Sequence, residues 1–315
     1  IIKCSVWEKT WRRCSPSPRL LFHMGYDMMK FKSEKTAVQV EEGNMQIVTE
    51  TASLLEQIKK REPLVHHITN YVTVNDCANV VLAIGASPIM ADDVGEVEEV
   101  VALADALVLN MGTLSQRTVP SMTAAGKRAN DLGIPVILDP VGAGISKLRK
   151  TTARRICKEV KISIIRGNHS EISFLAGEAS MAKGVDTSRE DEKKDARSVA
   201  EKLAKELGCV VAVTGAVDVV TDGRRMVTIY NGNPMLSRVT GTGCMTTSLV
   251  GAYAGVAEDL LQAAVGGVSS MGIAGELSYE RAKGQGTGSF HMGIIDALSQ
   301  MDGEIFKKRA KIKEE

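Results

Sequence analysis

One stretch decides the fold class of this chain: Val136-Ile137-Leu138-Asp139-Pro140-Val141-Gly142-Ala143-Gly144. An apolar run comes first, and a polar turn rich in glycine follows at once. A continuous apolar run predicts a strand that is buried on both faces, as in a parallel sheet covered by helices. The aspartate and the glycines then fall at the carboxyl end of that strand, where open α/β sheets bind their ligands.

The same alternation extends outward in both directions. From Thr51 onward, short apolar runs bounded by turn residues alternate with longer amphipathic segments, which is typical of βαβ units. The residues 219–227, with an Asp-Gly pair at their centre, predict a β-hairpin. The pattern as a whole predicts an α/β fold with a mostly parallel sheet. The predicted strands are Leu64–Thr69, Ala106–Asn110, Val136–Pro140, Ile162–Arg166 and Val210–Thr214, and the predicted helices are Val74–Ile84, Val94–Ala104, Val119–Leu132, Thr151–Val160 and Ala196–Leu207.

The two ends of the chain differ from the part between them. Residues 1–45 are rich in Lys and Arg and poor in acids near the start, which fits either a transit peptide or non-native upstream sequence. In the second case the natural start is Met24, Met28, Met29 or Met45. Residues 46–305 are expected to form one domain. The basic tail 306–315 is expected to be solvated and frayed.

Composition excludes several classes of function. The 39 Lys and Arg residues balance 38 Asp and Glu residues, and aromatic residues make up only 4% of the chain, so neither a basic nor a stacking surface for nucleic acid is predicted. No apolar run reaches the length of a membrane span. The 6 cysteines form no CxxC pair, which favours reduced thiols in the cytoplasm over disulfides or structural zinc.

The motif with the clearest chemical meaning is Val239-Thr240-Gly241-Thr242-Gly243-Cys244-Met245, a glycine-rich turn that leads into an apolar segment. The first N–H groups of a helix have no internal partner, so such a turn can bind a phosphate, and Gly243 lets it approach. Cys244 would lie at the positive end of the helix dipole, which predicts a lowered thiol pKa and a proton acceptor. The alternative is a buried cysteine that only fills the core.

Three predicted strands end in polar residues. Asp139 could hold Mg²⁺ through water, or it could simply close a turn. Arg166 could bind a phosphate, while Asn168 and Glu171 could contribute to that site or form a capping pair at a helix start. Thr214 ends another strand. Convergence at one sheet edge would suit phosphoryl transfer. The sequence has no GxxxxGK[ST] motif, which excludes a P-loop. It also has no complete GxGxxG fingerprint, which disfavours a nicotinamide enzyme.

From about residue 52 to 303 the chain resembles the hydroxyethylthiazole kinase family of the ribokinase-like superfamily. The resemblance is carried by a set of ordered motifs: Pro63–Asn70, Gly85–Met90, Leu107–Leu114, Asp139–Gly144, Arg166–Asn168 and Gly241–Cys244. It implies a three-layer α/β/α fold. It also implies ATP- and Mg²⁺-dependent phosphorylation of 4-methyl-5-(2-hydroxyethyl)thiazole for thiamine synthesis, by a homotrimer with its sites between subunits.

The resemblance also assigns roles to residues of this chain. Met90, Gly241 and Asn70 resemble thiazole contacts. Arg166, Thr214, Asn168 and Gly243 would bind ATP, and Asp139 and Glu171 would organise Mg²⁺ and its waters. Cys244 stands where most ribokinase-like kinases have an aspartate as the base, so slow turnover is expected. His66 and His67 are expected only to pack or to form local hydrogen bonds.

Two alternatives stay open at this point. The first is another enzyme of the same superfamily, either a kinase of a different small alcohol or a nucleotide-dependent dehydratase of hydrated NAD(P)H. The second is a non-catalytic nucleotide-binding regulator, which would keep Arg166 and Thr214 but would not need a proton acceptor at Cys244. ATP consumption with and without the thiazole alcohol would separate these alternatives.

Overall fold

A computed structural model of the chain describes residues 43–177 and 189–315. Most of the predicted leader, residues 1–45, lies outside the described residues. The first described element is a helix over 43–61, here α1, which the sequence did not predict. None of the helices in the described ranges is long and apolar enough to cross a membrane.

The described strands form a single sheet in the order β2-β1-β3-β4-β5-β6-β7-β8-β9. Their bounds are β1 Leu64–Ile68, β2 Ser87–Met90, β3 Ala106–Asn110, β4 Val136–Asp139, β5 Ile164–Asn168, β6 Val210–Thr214, β7 Asp218–Thr221, β8 Met226–Ile229 and β9 Ile312–Glu314. Strands β1 to β6 are parallel, and β6 to β9 are antiparallel. The predicted parallel sheet is therefore confirmed. Strands β2 and β9 were not predicted.

Helices cover both faces of this sheet. Their bounds are α2 Val74–Ile84, α3 Val97–Val101, α4 Thr118–Leu132, α5 Lys147–Glu159, α6 His169–Leu175, α7 Arg189–Leu207, α8 Thr242–Ala254, α9 Leu260–Arg281, α10 Thr287–Ser299 and α11 Gly303–Arg309. Helices α1, α2 and α8 to α11 pack on one face, and α3 to α7 pack on the other. The predicted helices are confirmed, although α3 is shorter and α5 begins earlier than expected.

The buried strands supply side chains to two separate apolar cores. In β3, Ala106 and Val108 belong to one core, whereas Leu107 and Leu109 belong to the other. Because successive side chains of a strand point to opposite faces, a continuous apolar run is needed to fill both cores. This is why the apolar runs in the sequence identified the parallel strands.

The basic tail differs from the expectation. It was predicted to fray, but it forms the end of α11 and the edge strand β9, which pairs with β8. Phe306 and Ile312 are buried in the core on the α8 side of the sheet. These two apolar residues hold the tail in place. Because most residues between them are basic, the sequence shows no apolar periodicity there that would predict a buried element.

Candidate active site

Two cavities lie at the carboxyl ends of the parallel strands. The smaller has a volume of about 380 Å³ and the larger about 620 Å³. Arg166, Asn168 and Gly243 line both cavities and so form a shared wall between them. Two adjoining spaces of this kind can hold two different reactants side by side.

The predicted site residues converge on these cavities, with one exception. Among the described residues, Met90 lines neither cavity; it lies half-buried at the end of β2 near the sheet edge. Thr214 lines the larger cavity. The smaller cavity is lined by all of the others: Asn70, Asp139, Arg166, Asn168, Glu171, Gly241, Gly243 and Cys244.

The turn before α8 can adopt its shape only with glycine at its start. Gly241 precedes α8 with a φ of +85°, a conformation that side chains disfavour. A Cβ there would also lie 2.5 Å from the Cγ2 atom of Thr73. The turn can therefore come close to the start of α2, and this brings Cys244 to the smaller cavity at the beginning of α8.

The thiol of Cys244 is half-buried and accepts a hydrogen bond. The Nδ2 atom of Asn70 donates to its Sγ at 3.3 Å. Burial raises the pKa of the thiol, and the nearby charge of Asp139 raises it further, against the opposing effect of hydrogen bonds from Thr73, Asn110 and Asn70. The predicted lowering of this pKa is therefore wrong, because desolvation by burial and the neighbouring carboxylate of Asp139 raise it.

A chain of buried side chains connects this thiol to Asp139. Asn70 donates to the Oδ1 atom of Asn110 at 3.0 Å, and Asn110 donates in turn to the Oδ2 atom of Asp139 at 2.9 Å. Thr247 on α8 donates to the same Oδ2 at 2.8 Å. Asn110 and Thr247 were not predicted as site residues. Their only signal was the position of Asn110 at a strand end, and of Thr247 one turn after the glycine-rich motif.

Asp139 is fully buried, and burial raises the pKa of its carboxyl to about 6. The guanidinium of Arg166 opposes this shift, with its Nη1 atom 3.8 Å from Oδ2, while the charge of Glu171 adds to it. The other carboxylate oxygen, Oδ1, is buried without a hydrogen-bond partner. A buried acceptor of this kind costs free energy unless a ligand satisfies it.

Arg166 is held between the two cavities. Its Nη2 atom donates to the hydroxyl of Thr214, which ties the ends of β5 and β6 together. A Cβ at Gly243 would lie 2.7 Å from Nη1. The second glycine of the motif therefore leaves room for the guanidinium, in addition to any room that it leaves for a ligand.

Asn168 and Glu171 form the capping pair that the sequence offered as an alternative to a ligand role. The Asn168 side chain accepts from the Glu171 N–H at 3.0 Å, and Glu171 Oε2 accepts from the Asn168 N–H at 2.8 Å. Glu171 Oε1 also accepts from the N–H of Gly142 at 2.9 Å. This carboxylate therefore fixes the loop after β4 as well as the start of α6.

Arg149 on α5 holds two loops of the smaller cavity, and sequence reasoning missed it. Its guanidinium donates to the carbonyl oxygens of Met111 and Gly112 after β3, and to that of Val141 after β4 at 2.6 Å. Gly112 and Val141 line the cavity. Three carbonyl acceptors on one planar donor fix the relative positions of the loops.

Asp218 at the start of β7 is a second buried carboxylate that was not predicted. It lines the larger cavity and accepts from the N–H of Gly215 at 2.8 Å. Burial raises the pKa of its carboxyl to about 7, although that hydrogen bond and Arg166 lower it. Asp218 thus stabilises the turn after Thr214.

Each of the two histidines of β1 has one ring nitrogen within hydrogen-bond distance of a backbone carbonyl. The Nε2 atom of His66 lies 2.8 Å from the carbonyl of Ala91, and the Nδ1 atom of His67 lies 3.0 Å from that of Val65. Burial lowers the pKa of both, that of His67 to about 4. The burial of both rings and their contacts with backbone carbonyls agree with the expectation that they pack and form hydrogen bonds.

Comparisons with known proteins agree on one family. The profile described as "Hydroxyethylthiazole kinase family" matches residues 55–304. A relative in Ruminiclostridium cellulolyticum named hydroxyethylthiazole kinase is 57% identical over 262 residues, which cover 83% of this chain and 96% of the relative. One of the same name in Clostridium beijerinckii is 54% identical over 272 residues, which cover 85% and 99%.

Solved structures agree with these relatives. A hydroxyethylthiazole kinase protein from Pyrococcus horikoshii OT3 superposes with a TM-score of 0.77 at 42% identity, over 84% of this chain and 98% of the other. An ADP complex of Bacillus subtilis pyridoxal kinase gives 0.51 at 17% identity, over 67% and 90%, which supports the fold alone. The fold is ribokinase-like, and the chain belongs to the hydroxyethylthiazole kinase family.

Proposed function

We propose that this chain transfers the γ-phosphoryl group of ATP to the hydroxyl of 4-methyl-5-(2-hydroxyethyl)thiazole, giving the thiazole phosphate used for thiamine. Family membership supports the activity. The observation that carries the assignment of the site is the pair of adjoining cavities that share Arg166, Asn168 and Gly243 as lining residues, with Cys244 lining the smaller one. ATP would occupy the larger cavity and the thiazole alcohol the smaller.

The reaction needs a proton acceptor beside the alcohol. The alcohol oxygen forms a bond to the γ-phosphorus, the bond from that phosphorus to the ADP oxygen breaks, and the alcohol proton passes to the Sγ of Cys244. Because burial and Asp139 raise the pKa of this thiol, only a small fraction is thiolate at neutral pH. Asn70, which donates to Sγ, would help to hold the thiolate. Turnover should therefore be slow.

Positive charge at the shared wall would stabilise the transferred group. Arg166 supplies a guanidinium there, and the N–H groups of residues 242–244 precede the first hydrogen bond within α8, which runs from Met245 to Gly241 at 2.8 Å. Donors fixed in position before the reaction stabilise developing charge without reorganisation. Asn168 and Thr214 would complete the ATP contacts.

The carboxylates fit a role with Mg²⁺. Across the described residues there is no group of three or more His, Cys, Asp or Glu side chains that could hold a metal, but Mg²⁺ usually needs only one or two carboxylates and phosphate oxygens. Asp139, with its unpartnered Oδ1, and Glu171, whose oxygens accept backbone N–H groups, would organise the ion and its waters. The bound ion would neutralise phosphate charge.

We propose that the working form is a homotrimer with sites between subunits. Gly241 and Asn70 would contact the thiazole within one chain, whereas Met90, which lines neither cavity of its own chain, would contact it from a neighbour. Tyr71 is 80% exposed, and Val72, which lines the smaller cavity, is 55% exposed. Exposed apolar side chains beside a cavity support the proposal that a neighbouring subunit covers them. A monomer with full activity would contradict this proposal.

We also propose a cytoplasmic location. The support is that Cys77, Cys157, Cys209 and Cys244, the cysteines within the described residues, are all free thiols.

A coupled assay of ADP release tests the activity. The panel should contain the thiazole alcohol, a pyrimidine alcohol and pyridoxal, each with ATP and Mg²⁺. We expect ADP release that depends on the thiazole alcohol and exceeds that with the others at least tenfold in kcat/KM. Release only with another alcohol would favour a different small-alcohol kinase. Nucleotide binding without release under any condition would favour a regulator and contradict the proposal.

A further inference from the structure

The basic tail, residues 306–315, ends in β9, which forms the antiparallel edge of the sheet. Ile312 pairs with Ile229 in β8, and the N–H of Tyr230 donates to the carbonyl of Lys311 at 2.9 Å. The next residue of the chain, Asn231, lines the larger cavity. The backbone of the tail therefore pairs with Tyr230, the residue directly before a residue that lines the cavity.

Both polar atoms of the Asn231 side chain form hydrogen bonds to the tail. Its Oδ1 atom accepts from the N–H of Lys311 at 2.7 Å, and its Nδ2 atom donates to the carbonyl of Arg309 at 2.9 Å. The same Nδ2 donates to Oε1 of Glu276 on α9 at 3.2 Å. With only 4% of its surface exposed, Asn231 is a buried connection between the tail, α9 and the cavity.

Glu276 joins the same three parts. Its Oε1 atom accepts from the N–H of Gly232 at 2.9 Å, and both of its oxygens lie 3.0 Å from the Nζ atom of Lys311. One turn earlier on α9, a Cβ at Gly272 would lie 2.8 Å from the Cβ of Asn231. The missing side chain lets α9 approach the loop closely enough for these bonds.

The connection extends along the cavity wall to α8. Asn231, Gly232 and Asn233 all line the larger cavity, and Asn233 caps the short 3₁₀ helix Pro234–Arg238 by accepting from the N–H of Met235 at 3.0 Å. Thr242 in the first turn of α8 donates to the carbonyl of Leu236 in that helix at 3.1 Å. A change in the tail can thus reach the wall without passing through the smaller cavity.

We propose that the tail segment, acting through Asn231 and Glu276, sets the affinity of the larger cavity for the nucleotide. The segment itself does not line the cavity, so Lys311, Glu276 and the strand β9 are positioning elements. This inference depends on the proposed function, in which the larger cavity holds ATP. It goes beyond that function because it gives the basic tail a role in nucleotide binding and none in binding the alcohol.

Glu276→Ala and Glu276→Gln test the proposal, with Glu280→Ala as the matched control. Glu280 lies one turn further along α9 and pairs with Arg309 of the same tail at 2.6 Å, but makes no bond to residues 231–233 in the described structure. The readouts are the Kd of ADP by calorimetry without the alcohol, the KM values of ATP and of the thiazole alcohol, and the Tm.

For Glu276→Ala we expect the Kd of ADP and the KM of ATP to rise about tenfold, with the KM of the alcohol changed less than twofold. Glu276→Gln can still accept from Gly232 but loses the ion pair with Lys311, so it should recover only part of the loss. Glu280→Ala should bind ADP like the unaltered chain. Asn231→Ala should weaken ADP binding at least as much. If that variant has a low Tm, the test depends on the two Glu276 variants alone.

Three results would overturn the inference: unchanged ADP binding in Glu276→Ala, equal weakening of ATP and alcohol, or the same loss in Glu280→Ala. Failure of the proposed function looks different, because then the unaltered chain would release no ADP with the thiazole alcohol. The calorimetric comparison of the Glu276 and Glu280 variants would still be valid in that case.

Discussion

The two cavities share a wall, yet they are built in different ways. The smaller one is formed by the residues that follow β1, β3, β4 and β5 and by the start of α8, all of which meet at one edge of the parallel sheet. The larger one extends from β6 over the antiparallel strands and is lined by α9 and the loop at residues 231–237. One of its lining residues, Asn231, bonds to the tail, which lies far along the chain.

This difference has a consequence for function. In the smaller cavity the functional side chains also hold one another, through the chain of hydrogen bonds from Cys244 to Asp139. In the larger cavity, Glu276 and the tail, which do not line it, also bond to the wall at Asn231 and Gly232. Variants near the smaller cavity should therefore affect binding of the alcohol, those near the larger cavity should affect ATP, and those in the shared wall should affect both.

Arg166→Ala should have the largest effect, because this residue lies in the shared wall. We expect kcat/KM for ATP to fall about 100-fold, which corresponds to about 2.7 kcal/mol, through loss of charge-assisted hydrogen bonds to phosphate. Binding of the alcohol should weaken less. Steady-state kinetics with each substrate varied would check this, with Arg166→Lys as the control that keeps the charge. Equal weakening of both substrates would contradict the assignment of Arg166 mainly to ATP.

Gly241→Ala should damage the smaller cavity selectively. Alanine would have to adopt the φ of +85°, which side chains disfavour, and its Cβ would collide with Thr73. The turn must therefore move where it lines the smaller cavity. We expect a loss of roughly 30-fold in kcat/KM for the alcohol, about 2 kcal/mol, with the KM of ATP nearly unchanged. Gly288→Ala is a matched control, since a Cβ there meets nothing within 4 Å. A selective rise in the KM of ATP would contradict the division between cavities.

Arg149→Ala should have a smaller effect on the same side. Its loss frees three carbonyl groups of the loops after β3 and β4 without removing a residue that lines the cavity. We expect about a tenfold rise in the KM of the alcohol, about 1.4 kcal/mol, with a lower Tm. Arg155→Ala on the same helix, which breaks only an exposed pair with Glu159, serves as the control. An unaltered KM for the alcohol would show that the loops do not need Arg149.

The sequence predicted the parallel strands apart from β2, and it predicted the β7–β8 hairpin, but it missed the edge strand β9. Buried parallel strands need continuous apolar runs, so β1, β3, β4, β5 and β6 were readable, and their polar ends located most of the smaller cavity. The edge strand β9 has only Ile312 buried among basic residues, so no pattern revealed it. Arg149 and Asn231 bond to backbone groups far away in the chain, and spacing cannot show such contacts.

The pKa of Cys244 shows a second limit. The position at the start of α8 was predicted correctly, and the helix dipole argued for a lowered pKa. The raised value depends on burial and on Asp139, which lies more than a hundred residues earlier, at the end of β4. The position of Cys244 at a helix start can be predicted from the local sequence, but the nearby charge of Asp139 can be seen only in the folded structure.

The central claim is that Cys244 accepts the proton of the alcohol, and the pH dependence of kcat tests it most directly. A thiol with a raised pKa should give a kcat that rises up to about tenfold per pH unit above neutrality, until the thiol is ionised. Cys244→Asp, with a carboxylate that is already ionised, should stay active and lose that rise, and Cys244→Ala should lose roughly 5-fold to 10-fold in kcat with little change in the KM of the alcohol. An alanine variant that keeps full kcat and the same rise with pH would contradict the account.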